Sequence, residues 1–235
     1  MRTQILCAAI AGVLALAAGT GGKGFAAPAK EAAVSGTEAL TFKLWLARAQ
    51  QGDSNAQYIV GFRYVRGEGT PQNVTEAARW LRDAAAQDHP QAQWGLGTLY
   101  ELGLGVPKNY AEAFRLYRLS APKGVVEAQT NLGLYYLEGL GTEQDYDQAF
   151  KWLRVASLQG LAEAQSGLAS MYEKGLSVPR DYVHAYMWFS LAADIGAGGA
   201  EAGRDQVAEK MSQDDIDRAT AMARRCSESD FLQCD

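Results

Sequence analysis

One helix-pair pattern recurs four times at a spacing of 36 residues, starting at Ala56-Gln57, Ala92-Gln93, Ala128-Gln129 and Ala164-Gln165. In the same register stand Gly61, Gly97, Gly133 and Ala169, then Tyr64, Tyr100, Tyr136 and Tyr172, then Gly67, Gly103, Gly139 and Gly175. Trp80, Leu116, Trp152 and Trp188 complete the set. A period between 20 and 50 residues marks a solenoid, in which each unit buries its apolar face only against a neighbour. Such chains typically bind other proteins rather than carry out chemistry. The fold class is therefore all-α, one elongated domain of stacked helix-turn-helix repeats.

Within repeat one, Ala56, Val60, Gly61 and Tyr64 fall on one stripe of a first helix over about residues 55–66. Gly67 ends it in the left-handed conformation, and Pro71 prevents its resumption. Asn73 is the N-cap of a second helix whose apolar face is Ala77, Trp80, Leu81, Ala84 and Ala85. Repeat two reads alike through Pro107, Asn109 and Tyr110. A helix-interior glycine costs about 1 kcal/mol against alanine, so the Gly61, Gly97 and Gly133 register implies close approach of the paired helix. The repeats divide as 52–87, 88–123, 124–159 and 160–195. Residues 40–51 align one period before 76–87 and form an N-terminal half-repeat. After Ala193 the period stops. Helices at about 200–211 and 213–226, the second opened by Ser212 and Asp215 at capping-box spacing, make residues 196–235 a C-terminal cap and tail.

The N-terminus carries Arg2, a charge-free apolar run from Ile5 to Ala18, and small residues through Ala26. That pattern predicts a signal peptide over 1–26 and a flexible leader over 27–39. The apolar run of about 14 residues is short for a bilayer span, so no stable membrane insertion is expected after cleavage. Losing Arg2 and Lys23 moves the formal charge from −5 to −7, which excludes a basic nucleic-acid surface. Cys226 and Cys234 then remain, and an oxidising compartment favours a disulfide between them. The expected location is periplasmic or secreted.

Little in the chain points to chemistry. His89 and His184 each lack a second His or Cys at ligand spacing, and two cysteines are too few for a structural zinc site. The glycine turns lack the strand and GK[ST] of a phosphate loop. No metal, cofactor or catalytic residue is assigned. Gln57, Gln93, Gln129 and Gln165 are read as satisfying backbone groups between units, and the tyrosine row as core.

The AQ, LG, Y and G of each first helix, the GxGVP connector and the A..W...AA of each second helix resemble the SEL-one-like repeat family, a relative of tetratricopeptide repeats. The likeness covers about residues 40–195, with Glu143 in place of the connector proline in repeat three and Ser177 in place of the second glycine in repeat four. The tail from Arg204 to Cys234 resembles a recurring C-terminal extension. The resemblance implies an α/α right-handed superhelical solenoid and an adaptor or regulator role. It also implies a concave, ligand-facing side on the first helices. Matching registers there are Tyr58, Phe62 and Arg66 in repeat one, Trp94, Glu101 and Leu102 in repeat two, Leu134 and Leu137 in repeat three, and Glu173 in repeat four. Exposed aromatic residues on such a surface mark a binding site for a protein or peptide of the cell envelope. Alternatives are an activity on β-lactams or cell-wall fragments, known in a branch with cysteine pairs inside its repeats, which this chain lacks, and a scaffold in an envelope assembly.

Overall fold

The computed structural model describes residues 36–234, so the signal peptide expected over 1–26 and residues 27–35 of the expected leader lie outside the described residues. Eleven α-helices and one 3-10 turn make up the described residues, which contain no strand. The fold is an α solenoid of antiparallel helix pairs. Where the repeat alone predicts a single domain, the described residues divide into two compact units, 36–125 and 126–234.

Residues 36–125 hold α1 (Gly36–Gln50), α2 (Ser54–Arg66), α3 (Val74–Ala86), α4 (Pro90–Leu102), α5 (Tyr110–Ser120) and the 3-10 turn Ala121–Lys123. Residues 36–39 are helical, not part of a flexible leader as expected from sequence. The register explains their order. Glu38 stands one period before Val74, and the Glu38 carbonyl closes on Gly69 as the Val74 carbonyl closes on Gly105, at 2.4 and 2.1 Å from where a Cβ would sit. Only glycine admits that approach, at φ +73° and +69°. The half-repeat is thus a full second helix, burying Phe42 and Ala49 with Ala56, Val60 and Trp80.

The interior glycines have the packing reason their register implies. A Cβ on Gly61 would stand 2.7 Å from the Leu81 side chain, and one on Gly97 would stand 2.8 Å from the Tyr117 ring. Each first helix of repeats one and two ends at a left-handed glycine, Gly67 or Gly103. Asn73 and Asn109 then cap the second helices through the Glu76 and Glu112 N–H groups. Their own N–H groups donate back to the Tyr64 and Tyr100 carbonyls at 2.9 Å, closing each helix-turn-helix. The tyrosine rings themselves are half-buried, packed on the core rather than inside it. Nε2 of Gln57 and Gln93 donates to the Ala49 and Ala85 carbonyls, one period apart. Gln57 and Gln93 thus bond last-turn carbonyls of the helix in the preceding unit.

Residues 126–234 hold α6 (Val126–Glu138), α7 (Tyr146–Ser157), α8 (Ala162–Lys174), α9 (Tyr182–Asp194), α10 (Ala200–Ala208) and α11 (Gln213–Glu228). The same devices recur: Gly133 against Leu153, Gly175 at the end of α8, and Asp145 and Asp181 as N-caps of α7 and α9. Ser177 holds the left-handed turn at φ +68° with its hydroxyl on Asp147 at 2.6 Å. Both C-terminal helices pack on α9, and Gly203 of α10 lies against the Phe189 ring. The Asp215 N–H donates to Ser212 Oγ, opening α11 as its spacing predicts. A disulfide joins Cys226 to Cys234, both buried, and the loop it closes lays Phe231 on Gly160 at the turn before α8.

Candidate functional site: an aromatic strip in residues 36–125

Tyr58, Phe62 and Arg66 share one face of α2 because they recur every four residues. The structure brings them together with Trp94 of α4. Tyr58 and Phe62 rings lie 4.8 Å apart, and the Phe62 and Trp94 rings stack at 6.1 Å with 18° between planes. The Arg66 guanidinium sits 5.8 Å over Phe62 and pairs with Glu68 at 3.5 Å. Where the sequence predicts exposed anchors, the three rings are half-buried, each covering part of the next. Gly95 makes this possible, since a Cβ there would meet the Phe62 ring at 2.9 Å.

A fourth ring extends the strip. His89 stacks on Tyr58 at 4.8 Å and 20°, and it is the N-cap of α4. Its Nδ1 accepts from the Ala92 N–H at 3.3 Å, and its Nε2 lies 3.0 Å from Asn55 Oδ1. The only sequence signal was register: His89 stands one period after Asp53, which caps α2 in the same way through the Ala56 N–H. Burial pushes the His89 imidazole below its ordinary value, and the nearby charge of Lys123 acts in the same sense. Beside it Asp88 adopts φ +66° at a position where Gly52 and Gly124 stand one period away. Its carboxylate is bonded by Lys123 and by Gln93, in that order the causes that hold it below the usual carboxylate range.

Glu101 does not face the ligand side as its register suggests. Its carboxylate is buried and accepts from the Tyr117 hydroxyl at 2.5 Å, while that hydroxyl lies 3.3 Å from Thr98 Oγ1. Leu102, the last residue of α4, is half-buried. In the other unit Leu134 and Leu137 are half-buried against the core, Leu134 lying over Gly167 as Phe62 lies over Gly95. Glu173 of α8 is engaged by Lys210 at 2.9 Å. Leu134, Leu137 and Glu173 thus take part in packing and pairing within residues 126–234, and the rings that meet one another lie in residues 36–125.

Among the described residues no three His, Cys, Asp or Glu side chains gather as metal ligands, and no helix is long and apolar enough to cross a membrane. His184 Nδ1 donates to the Asp181 carboxylate, 2.7 Å away, at the N-terminus of α9.

Comparison with known proteins gives a consistent family. The Sel1 repeat matches residues 54–89, 90–125, 126–161 and 162–196. No curated protein matches the chain significantly. Among solved structures, a Sel1 repeat protein from Oxalobacter formigenes is 31% identical, with 80% of this chain and 79% of that one covered and a TM-score of 0.66. A protective antigen present in uropathogenic Escherichia coli strains, displaying an SLR fold, is 24% identical over 83% of this chain and 58% of its own, with a TM-score of 0.51. A sel1 repeat protein from Klebsiella pneumoniae subsp. pneumoniae is 20% identical over 82% and 95%, at 0.50. The last two share the fold alone.

Proposed function

This chain belongs to the Sel1 repeat family, whose members generally mediate protein–protein interactions, and from that premise we propose that it is an exported, non-enzymatic adaptor or regulator gripping a partner through its aromatic strip. The observation that carries the reading is the ladder His89–Tyr58–Phe62–Trp94, half-buried and flanked by Arg66. The constant registers of the repeat are consumed by packing. These rings occupy variable registers: Tyr58 and Trp94 share one with Thr130 and Ser166, Phe62 shares another with Thr98, Leu134 and Ser170, and His89 a third with Asp53, Val125 and Leu161. Rigid aromatic side chains pre-ordered by one another lose little entropy on binding, and such anchors supply most of an interface's energy.

Export is supported by the signal-like pattern of residues 1–26 and by the pairing of the two cysteines that remain after it. A periplasmic partner in the cell envelope follows from that location. Trp94→Ala tests the docking reading: capture of the partner from envelope extract is lost while the far-ultraviolet circular dichroism stays that of the parent. Capture that survives the substitution moves the site elsewhere. N-terminal sequencing of the secreted fraction tests export, with a mature start after Ala26 as the expected result and an intact Met1 as the contrary one.

A further inference from the structure

The ladder ends on a titratable ring whose two nitrogens are both engaged. Nδ1 faces the Ala92 N–H and must present its lone pair, so the proton of the neutral ring resides on Nε2 and is donated to Asn55 Oδ1. We propose that His89 is an acid-sensitive latch: protonation of the ring destroys the N-cap of α4 and loosens the aromatic strip stacked on it.

A protonated Nδ1 would set two donors against each other 3.3 Å apart, at the positive end of a 13-residue helix. Only the ring's own backbone carbonyl favours the protonated form, and no surrounding side chain supplies a free anion to it. From α2 the ring meets Asn55 and Tyr58, both neutral, and Asp53 at the start of α2 is held by Arg48 and by the Ala56 N–H. From the turn after α5 comes Lys123, a cation. The neighbouring Asp88 carboxylate is already taken by Lys123 and Gln93.

At the same register one period earlier the cap is Asp53, an acid that keeps its cap far below neutral pH. An imidazole in that role transfers the loss of the cap to the mildly acidic range. The depressed proton affinity of the ring agrees: the neutral form is favoured in the folded chain. The contribution of His89 is therefore fully present above the ordinary imidazole value of about 6.5 and is lost as pH falls through the lower folded value. Release of a bound partner on acidification rests on the docking reading above; the latch does not.

The test uses the intact chain with 15N-labelled histidine. Long-range 1H–15N correlation spectra are expected to show His89 as the Nε2–H tautomer with a midpoint below that of free histidine. An Nδ1–H tautomer, or a midpoint at or above the free value, overturns the proposal. Amide exchange at Ala92, corrected for its intrinsic rate, is expected to lose about fivefold protection between pH 7.5 and 5, the scale of one lost N-cap. His89→Asn keeps a cap that does not titrate and should hold protection constant over that range. Equal losses in the two proteins overturn the latch. If the variant does not fold, the spectra of the parent decide alone. Neither readout involves a partner, so failure of the latch and failure of the Trp94→Ala capture test are distinguishable.

Discussion

Gly97 shows how tightly the repeat specifies its residues. A methyl at this position would stand 2.8 Å from the edge of Tyr117, itself wholly buried and anchored on Glu101. Gly97→Leu should overpack the helix pair and destabilise the chain by about 1–3 kcal/mol, lowering the thermal midpoint by several degrees. An unchanged midpoint would show that the helices part at no cost. That glycine was readable from the sequence because it breaks helix propensity at one register three times over. Gly95, which admits Phe62, and His89, which stacks on Tyr58, were not readable. Each acts on a residue of the neighbouring repeat, and a side chain's partner 31 to 33 positions away leaves no mark in local spacing. Glu101 was misplaced because its partner Tyr117 stands 16 positions on, on the paired helix of the same repeat, beyond the reach of spacing within one helix.

At the level of elements, the turns and caps were legible and the ends were not. Asn73, Asn109, Ser212 and the glycine stops sit where capping chemistry puts them. The helix reaching back to Gly36 escaped detection because its first turn, Gly36-Thr-Glu-Ala39, has no apolar stripe of its own; it is held by the Glu38 carbonyl against Gly69. The C-terminal element is a different case, where a covalent bond closes a loop of eight residues' separation. Chain-entropy arguments assign such a loop about 2–3 kcal/mol. Reduction, or Cys226→Ser, should lower the thermal midpoint and raise amide exchange in α11 and around Gly160, where Phe231 rests. Exchange unchanged at Gly160 would show that the tail docks without the bond.

On the scale of the whole molecule, charge is unevenly spread. Residues 36–125 carry ten Lys and Arg against eight Asp and Glu, whereas residues 126–235 carry nine against eighteen. Self-repulsion in the acidic part destabilises it at low salt, so the thermal midpoint should rise between about 10 and 300 mM sodium chloride; a fall would assign net stabilisation to the surface ion pairs instead. The aromatic strip lies in the part without that excess of acid, with Arg66 over Phe62 and Lys123 beside His89. On the proposed function, the partner is held on this strip. A photocrosslinker at position 66, compared in the parent and in a Trp94→Ala background in envelope extract, tests it directly. One discrete adduct in the parent, absent from the variant at equal helicity, is the result predicted. The same adduct at equal yield in both would contradict it.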